Sequence, residues 1–403
     1  MPPRPRAVLS RSGLVDRVGE GALFVAADVL GWPKNRAGMG RFQIAVFPGD
    51  GIGQEVMTPT LTLLKRLQAG IGGFELTFET YEAGAGLYQR TGVALPDEAM
   101  AAAARADAIL LGAMGLPNVR HPDGTEVQPH LDMREKFALY AGIRPVKIMA
   151  GAPTPLKDPR AAEVDCVLVR ESTEGLFASR SMTRREGDAV YDTMKISRSV
   201  SERLFAAAFK LAARRAEGRA RKPRVTCVDK ANVIPSLAYF RTLFLEAAKK
   251  HPDIESDCIY VDAAALRLVR SPWEFDVLVT ENMFGDILSD LGAALIGGMG
   301  MAPLADIGDE HAIFQPCHGT APDIAGKGLA NPTAMLLSAA MMLDWLGDRR
   351  SNVSLKRAGK VLTGAVEAAF APGDLVSVES GGKAGTEEIV ARVAAALAES
   401  VPA

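Results

Sequence analysis

Two aspartates, Asp286 and Asp290, are the first residues of this 403-residue chain whose type and spacing suggest chemistry. They lie four residues apart in the stretch Phe275–Asp290, and that spacing places both carboxylates on one face of a helix. Paired carboxylates at the carboxyl end of a strand can bind a hard divalent cation, and α/β enzymes usually keep their active site there. The alternative is two solvated aspartates on a surface helix, so the rest of the chain must decide between these interpretations.

The elements that would position these carboxylates can be predicted from hydrophobic pattern. The apolar, β-branched run Phe275–Thr280 predicts a fully buried strand, and the helix that carries the aspartates is predicted to begin near Phe284. Asp262 follows a second predicted strand, Cys258–Val261, and is therefore a third carboxylate at a strand end. Lys230 follows another short apolar run, where it could be a base with a lowered pKa or an ordinary surface lysine.

Three arginines are candidates for binding carboxylates. Arg134 and Arg144 bracket one segment, and Arg170 directly follows the buried strand predicted over Ala162–Val169. A guanidinium group binds a carboxylate through two parallel hydrogen bonds. For Arg134 and Arg144, the alternative is two ordinary surface arginines.

Composition excludes several classes of protein. The chain is 48% hydrophobic and 23% charged, as in globular proteins, and its length suggests two domains or lobes. The net charge of −2, without a long basic block, argues against nucleic-acid binding, and no apolar stretch is long enough to span a membrane. Four cysteines without CxxC spacing predict reduced core residues of a cytoplasmic protein, not a disulfide frame or a zinc site: Cys166, Cys227, Cys258 and Cys317.

Residues 1–40 do not fit the pattern that follows them. Asp16 and Glu20 precede the apolar patch Ala22–Val29, which argues against a secretory signal peptide. A transit peptide is an alternative, although such peptides contain few acids. We expect an extension that arises from a mis-assigned start, with the true protein beginning near Met39.

Three segments between the predicted helices and strands are candidates for function. The turn Pro48–Gly53 lacks the third glycine of a GxGxxG fingerprint, so a dinucleotide-binding turn and a simple tight turn are equally supported. The loop Phe314–Asn331 is long for a connection in a compact domain, and loops of that length are commonly functional. The polar segment Ser179–Ile196 predicts a hairpin that extends from the core as a dimer clasp.

Six motifs, taken together, resemble the isocitrate/isopropylmalate dehydrogenase family of β-decarboxylating dehydrogenases. They are PGDGIG, RESTEGL, VDKANV, YVDAAALRLVRSP, TENMFGDILSD and HGTAPDIAGKGLANP, in the order of the family. The resemblance runs from about Phe42 to the C-terminal helix. It implies an α/β fold with two lobes on one continuous twisted sheet, which is not a Rossmann fold. The first lobe would comprise residues 41–140 and 297–403, and the second residues 141–296 with a dimer arm near 178–198.

The resemblance also implies a homodimer whose subunits complete each other's active sites. Asp286 and Asp290 would join Asp262 of the neighbouring subunit to bind Mg²⁺ or Mn²⁺. Lys230, also donated to the neighbouring site, would be the general base or proton relay, and Asn232 would line the same cleft. The substrate, a small hydroxy diacid, would have its second carboxylate held by Arg134, Arg144 and Arg170.

The resemblance further implies NAD as the cofactor. A carboxylate at Asp323 would accept hydrogen bonds from the adenosine ribose and repel the 2′-phosphate of NADP. The residues expected to contact the cofactor are His318, Gly319, Ala321, Asp323 and Asn331.

Two residues depart from the pattern of the family. Phe177 stands where the family has a tyrosine that donates a proton after decarboxylation. Either water or Lys230 takes over that role, or the decarboxylation step is slow or lost. His130 stands where isopropylmalate enzymes place a leucine, and a histidine suits a small or hydroxylated substituent better, unless it is only structural.

These observations predict an NAD- and metal-dependent dehydrogenase of a 2-hydroxy acid with a β-carboxylate, such as D-malate or tartrate. Oxidation would use hydride transfer, with decarboxylation left open by Phe177. The alternative within the family is 3-isopropylmalate dehydrogenase. An alternative from another class is a catalytically silent regulatory subunit.

Overall fold

The computed structural model describes residues 40–178, 182–217 and 219–401. The predicted N-terminal extension, apart from Gly40, and residues 179–181 of the predicted arm therefore lie outside the described residues. None of the described helices is both long enough and apolar enough to cross a membrane.

Strands and helices alternate along most of the chain. The strands are β1 (Gly40–Gly49), β2 (Phe74–Thr80), β3 (Ala108–Ala113), β4 (Ala141–Lys147), β5 (Asp165–Glu171), β6 (Arg184–Glu186), β7 (Ala189–Tyr191), β8 (Arg224–Asp229), β9 (Glu255–Tyr260), β10 (Val277–Thr280), β11 (Pro303–Ile307) and β12 (Ala312–Pro316). The α-helices are α1 (Ile52–Ile71), α2 (Ala85–Thr91), α3 (Asp97–Arg105), α4 (His130–Lys136), α5 (Gly175–Ala178), α6 (Arg198–Ala216), α7 (Pro235–Ala248), α8 (Val261–Arg270), α9 (Asn282–Leu295), α10 (Thr333–Arg349), α11 (Val353–Phe370) and α12 (Thr386–Ser400).

In the described part of the chain, ten strands form one sheet in the order β2-β1-β3-β12-β11-β4-β5-β10-β8-β9. Strands β2, β1, β3 and β12 are parallel to one another, as are β5, β10, β8 and β9. Between these groups, β11 and β4 pair antiparallel with each other and with their outer neighbours. The predicted continuous sheet is confirmed, whereas the lobe boundaries at residues 140 and 296 stay a prediction.

Helix α10 forms the centre of one layer of the core. Its residues from Thr333 to Asp348 are all buried, because the helix is largely apolar and packs between the central strands and α11. Its two buried acids, Asp344 and Asp348, pair with Arg214. The sheet strands contribute apolar side chains to the same core, and β3 (AILLGA) is buried along its whole length, as expected for a parallel strand covered on both faces.

The central stretch follows the prediction with a shift in its boundaries. The strand covers Val277–Thr280, and α9 begins at Asn282, two residues before the predicted start. The reason is a cap: the Glu281 carboxylate accepts hydrogen bonds from the backbone N–H groups of Met283 (3.0 Å) and Phe284 (2.6 Å). The strand predicted over Ala162–Val169 is also displaced towards the C-terminus, so that Arg170 belongs to β5 itself.

Strands β4, β11 and β12 and helices α2 and α8 do not appear among the elements predicted from sequence. Strands β4 and β11 contain the buried charged residues Arg144 and Asp306, which interrupt the apolar pattern expected of central strands. Their assignment as strands rests on backbone pairing with their neighbours in the sheet, which the apolar pattern does not reveal.

The glycine-rich turn after β1 packs against the loop that follows β12. Gly51 has φ +55°, and a Cβ there would lie 2.0 Å from the carbonyl oxygen of Thr320. The backbone N–H of Ile52 donates to that same oxygen (2.8 Å). The glycines of this turn are therefore required for close backbone packing, which supports the tight-turn interpretation over a dinucleotide fingerprint.

Strands β6 and β7 form a separate antiparallel hairpin within the segment predicted as a dimer arm. Its apolar side chains are exposed, with 54% of Val190 and 44% of Tyr191 accessible. The hairpin is thus present, and its contact with a second subunit stays a prediction.

Candidate active site

A cavity of about 820 Å³ lies against the antiparallel centre of the sheet, where Arg144, Leu304 and Gln315 line it from β4, β11 and β12. It brings together nine of the residues predicted from sequence: His130, Arg134, Arg144, Arg170, Phe177, Asp286, Asp290, His318 and Gly319.

The three arginines of the cavity come from three different elements and are all buried. Arg134 lies on α4, Arg144 on β4 and Arg170 on β5, with 7%, 5% and 3% of their surfaces exposed. A buried charge is strongly unfavourable unless it is paired. Each guanidinium therefore needs an anionic partner, from the protein or from a ligand.

Arg170 is paired within the protein. Its Nε and Nη2 donate to Oδ1 of Asn282 (2.9 and 2.7 Å), and its Nη1 forms an ion pair with Asp286. Burial, together with the positive charges of Arg144 and Arg134, lowers the pKa of Arg170 to about 9. Gly285 permits the close approach of α9, because a Cβ there would lie 2.6 Å from the Arg170 side chain.

Arg134 is paired with Asp306, a residue that the sequence analysis missed. The Nε of Arg134 donates to Oδ2 of Asp306 (2.8 Å), and this carboxylate also accepts from Gln315 (3.2 Å) and Ser172 (3.3 Å). Burial raises the pKa of Asp306, but the surrounding arginines outweigh that effect and hold it below its usual range. The one sequence signal that could have indicated this pair is an acid within the apolar run PLADI. A carboxylate in such a run is buried with its strand and therefore requires a cationic partner.

Arg144 has no carboxylate partner among the residues that the structure describes. Its Nη1 contacts the hydroxyl of Ser289 (3.3 Å) and the sulfur of Cys317 (3.7 Å). Its Nε is buried and has no hydrogen-bond partner within the described chain. Of the three arginines, Arg144 thus carries the positive charge that a bound anion would neutralise most directly.

Asp286 and Asp290 lie one turn apart on α9 and both line the cavity, as their spacing predicts. Burial and the negative charge of Asp286 raise the pKa of Asp290. Two adjacent carboxylates that repel each other are the electrostatic environment that a divalent cation would stabilise, so this pair fits a hard metal ion.

Lys230 and Asp262 contact each other but do not line the cavity. The Nζ of Lys230 lies 2.6 Å from Oδ1 of Asp262, and this hydrogen bond lowers the pKa of the carboxyl. Asn232 is exposed and also absent from the cavity lining. A single chain therefore does not bring these three predicted residues to the other site residues.

Exposed apolar side chains lie on the same elements as Lys230, Asp262 and Asp286. They are Val233 (65% exposed), Leu266 (58%), Val269 (49%) and Ile287 (61%). Apolar residues on the exposed faces of adjacent helices are typical of a protein interface.

Phe177 and His130, the two residues that depart from the family pattern, both line the cavity. The Phe177 ring centroid lies 5.6 Å from Cζ of Arg170, so the ring contributes a cation–π contact and no hydroxyl. His130 is the first residue of α4. The other side chains of the lining include several apolar ones: Met114, Leu131, Leu176, Met283 and Met299.

The loop after β12 carries the residues predicted to contact a cofactor. His318 and Gly319 line the cavity, and burial lowers the pKa of His318. Ala321 has φ +37°, and Asp323 is exposed, outside the cavity lining. Asn331 is buried, and its Oδ1 accepts from the N–H of Thr333 (3.1 Å).

Glu55 on α1 fixes this loop. Its carboxylate oxygens accept hydrogen bonds from the backbone N–H groups of Gly326 and Ala330 (3.0 Å each) and from the hydroxyl of Thr386. The loop is thus held in one conformation by a charge-assisted network that the sequence motif alone does not reveal.

Comparison with known proteins identifies the family to which this chain belongs. The family model described as isocitrate/isopropylmalate dehydrogenase matches residues 43–393. A 3-isopropylmalate dehydrogenase of Heyndrickxia coagulans is 42% identical over 311 residues, which cover 75% of this chain and 83% of the relative. A 3-isopropylmalate/3-methylmalate dehydrogenase of Methanocaldococcus jannaschii is 39% identical over 358 residues, or 89% and 99% of the two chains. A homoisocitrate dehydrogenase of the same organism is 40% identical over 326 residues, or 79% and 89%.

Solved structures of dehydrogenases resemble this chain along most of its length. An isocitrate dehydrogenase from Methylococcus capsulatus superposes with a TM-score of 0.77 at 34% identity, covering 88% of this chain and 99% of the other. A β-decarboxylating dehydrogenase from Thermococcus kodakarensis gives a TM-score of 0.70 at 33% identity, with coverages of 89% and 96%. These similarities confirm the fold that the six motifs predicted.

Proposed function

Because the chain belongs to the isocitrate/isopropylmalate dehydrogenase family and is an enzyme of the β-decarboxylating type, we propose that it oxidises a 3-substituted malate with NAD and a divalent cation. The observation that carries this proposal is one cavity that contains three buried arginines beside two adjacent carboxylates. Such an arrangement suits a substrate with one carboxylate for the arginines and a hydroxy-carboxylate group for a metal.

The substrate we propose has an apolar substituent, with 3-isopropylmalate as the first candidate. The sequence alone favoured D-malate or tartrate, with 3-isopropylmalate as the alternative, on the basis of His130. The relatives are named for 3-isopropylmalate, 3-methylmalate and homoisocitrate, and they favour the alternative. The methionine and leucine side chains of the cavity support it too, because they can pack against an apolar group despite His130.

The arginines of the cavity bind the substrate in this proposal. Arg144 contributes the charge that has no carboxylate partner within the described chain, and Arg134 and Arg170 are oriented beside it by Asp306 and Asn282. Burial strengthens these electrostatic interactions and excludes water from the reacting group. The carboxylate bound there is the one that leaves as carbon dioxide if decarboxylation follows.

Asp286 and Asp290 would hold Mg²⁺ or Mn²⁺ together with Asp262 of a second copy. The cation would supply a Lewis acid that lowers the pKa of the substrate hydroxyl. NAD would bind along the loop after β12, where the exposed Asp323 would accept hydrogen bonds from ribose hydroxyls. As the hydride acceptor, NAD supplies the oxidising power of the reaction.

Lys230 and Asp262 reach the site only in a homodimer. Both lie outside the cavity of their own chain, on a surface that also exposes Val233 and Leu266. In this proposal a second copy covers that surface, and each chain donates its lysine to the cavity of the other. There Lys230 accepts the hydroxyl proton, and Asp262 orients the Nζ through the 2.6 Å contact.

The test is NADH formation by the purified protein with Mn²⁺ and with Mg²⁺, over 3-isopropylmalate, D-malate, the tartrates and isocitrate. Carbon dioxide is trapped in the same reactions. We expect the highest kcat/KM with 3-isopropylmalate, and replacing NAD by NADP should lower it. A clear preference for D-malate or tartrate would instead support the substrate predicted from His130. No turnover with any of these acids would contradict the proposal.

The ratio of carbon dioxide to NADH tests the role of Phe177 separately. A ratio of one means that water or Lys230 supplies the proton that the family's tyrosine would supply. A lower ratio that rises in Phe177→Tyr means that the second half-reaction is impaired by the missing hydroxyl.

A further inference from the structure

Two of the four cysteines, which appear scattered in the sequence, are brought together with an aspartate away from the cavity. Cys227 on β8 lies directly opposite Cys258 on β9 in the parallel register. Asp229, two residues beyond Cys227, projects from the same face of the sheet. One ligand atom from each of the three side chains lies within 4.8 Å of the other two, and the Cys227 sulfur is 3.8 Å from Oδ2 of Asp229.

The donor set is characteristic of a thiophilic cation. Two thiolates and one carboxylate are ligands that Zn²⁺ and related ions accept, whereas Mg²⁺ and Mn²⁺ prefer oxygen ligands alone. In a tetrahedral site with Zn–S bonds of about 2.3 Å, neighbouring sulfurs lie about 3.8 Å apart. Because the two sulfurs lie within 4.8 Å of each other, their separation needs to contract by about 1 Å at most.

The charges around this group of side chains allow a cation to enter. Arg241 donates from Nε and Nη2 to the two oxygens of Asp229 (2.7 Å each), and its guanidinium also packs on Tyr260. When a divalent cation replaces the two thiol protons, the total charge of the group is unchanged. Oδ1 of Asp229 also accepts from the backbone N–H of Ala231 (2.8 Å), so the cation would bind Oδ2, whose second lone pair becomes free when the Cys227 thiol loses its proton. Arg241 can then keep its hydrogen bonds and serves as the outer partner that orients a metal ligand.

We propose that Cys227, Asp229 and Cys258 bind one thiophilic divalent cation of the zinc class, at a site distinct from the cavity. Each cysteine loses its proton to solvent as its sulfur bonds to the cation, and no electron is transferred. The fourth coordination position is left to water. The cation enters past Cys258, which is partly exposed on the edge strand β9, whereas Cys227 and Asp229 are buried.

The site would tie together the two strands that deliver Lys230 and Asp262. Strand β8 ends at Asp229, directly before Lys230, and β9 ends at Tyr260, two residues before Asp262. A bound cation would therefore hold these strands at a fixed spacing near the residues that the proposed function assigns to the second subunit. Cation binding itself does not depend on that function.

The experiment uses Cd²⁺ as the probe, since its bonds to thiolates give an ultraviolet charge-transfer band. The reduced, metal-free full-length protein is titrated with Cd²⁺ in excess Mg²⁺, which saturates the carboxylates of the cavity. We expect the band to saturate at one Cd²⁺ per chain, with the same stoichiometry by equilibrium dialysis. Cys258→Ser and Cys227→Ser should each remove most of the band, and Asp229→Asn should weaken binding while the band persists.

Cys166→Ser and Cys317→Ser are the matched controls, because each removes a cysteine outside the proposed site. Both should keep the full band. Circular dichroism and the melting temperature establish whether each variant is folded. If the buried substitution Cys227→Ser prevents folding, the test rests on Cys258→Ser, which changes only a partly exposed side chain. Absence of the band in the wild type, or its persistence in folded Cys258→Ser, would overturn the proposal. Turnover is not part of the readout, so failure of the proposed function would leave this result interpretable.

Discussion

The carboxylate of Asp306 lies 2.8 Å from Nε of Arg134, and both side chains are buried at the centre of the sheet. Asp286, which is only partly buried, pairs with the buried Arg170, so two of the three arginines have an acid within the protein. Within the described part of the chain, Arg144 donates only to neutral groups, the hydroxyl of Ser289 and the sulfur of Cys317. The three arginines are therefore not equivalent, and substitutions should separate those that maintain the fold from the one that is poised for the ligand.

Removing one member of the buried pair should destabilise the protein. Asp306→Asn leaves Arg134 without its counter-ion, and such a loss typically costs about 3–5 kcal/mol. Urea denaturation should show a lower midpoint in Asp306→Asn and in Arg134→Met. In the double variant Asp306→Asn/Arg134→Met the loss should be smaller than the sum of the single losses, because no buried charge is left unpaired. Additive losses would contradict direct pairing.

Arg144→Met should keep the stability of the protein and lose most of its activity. Its midpoint in urea should stay equal to the wild type or rise, because an unpaired buried charge is removed. Its kcat/KM should fall by about 30-fold or more, since a charge-assisted contact to a buried carboxylate is worth about 2–5 kcal/mol and each 1.4 kcal/mol is a factor of about ten. Parallel measurement of urea midpoint and kinetics in Arg134→Met provides the comparison. A marked loss of stability in Arg144→Met would show that Arg144 has an acidic partner in the folded protein.

Mg²⁺ or Mn²⁺ should stabilise the folded protein through Asp286 and Asp290. A ligand at 100 times its Kd adds about 2.7 kcal/mol to the free energy of unfolding. Thermal melts with and without the cation should show this gain in the wild type and not in Asp290→Asn. The variant Asp374→Asn, which removes an exposed carboxylate far from α9 in sequence, should keep the gain. A gain that survives in Asp290→Asn would place the metal elsewhere.

Asp344 on α10 should make stability depend on pH. Burial raises its pKa to about 8, against about 3.9 in an unfolded chain, and Asp348 adds to that shift while Arg214, Lys356 and Lys360 oppose it. The folded state therefore binds more protons than the unfolded state between about pH 4 and pH 8, and the free energy of unfolding falls as pH rises through that window. The slope contributed by one group is at most about 1.4 kcal/mol per pH unit.

Asp344→Asn should reduce that slope. Chemical denaturation at pH 5 and at pH 8 measures it in both proteins. A residual slope of the same sign is expected, because burial also raises the pKa of Glu171 to about 7. An unchanged slope in Asp344→Asn would mean that this carboxyl does not titrate in the window.

Mixing two inactive variants should restore activity if the active sites are shared. Lys230→Met lacks the residue donated to the second subunit, whereas Arg144→Met lacks a residue of its own cavity. In a random mixture, half of the dimers are hybrids, and each hybrid contains one complete site, so about a quarter of the wild-type activity should return. The measurement is NADH formation after the mixture is unfolded and refolded together. No recovery, with both variants folded and dimeric, would argue against sharing.

The motifs of the chain predicted the fold and most of the charged residues of the cavity, because those residues belong to short stretches whose local sequence carries the signal. The Asp286–Asp290 pair is one example, since helical periodicity alone places both carboxylates on one face. Asp306 could not be assigned in this way, because its partner Arg134 is distant in sequence and the two meet only through the order of the central strands. The Cys227–Cys258 pair was missed for the same reason: their proximity depends on the register between β8 and β9.

The antiparallel centre of the sheet has a mechanical consequence. Asp306 on β11 pairs in register with Gly142 on β4, where a Cβ would lie 3.0 Å from its Oδ1 and 2.7 Å from Oγ of Ser172. The two parallel groups of strands are joined through this tightly packed strip, so a relative rotation of the two groups would turn about it. Arg134 and Arg144 lie beside the strip and would move little in such a rotation, whereas His318 follows β12 of one group and Asp290 follows β10 of the other. Closing around a substrate would thus change the width of the cavity while keeping its charged floor in place.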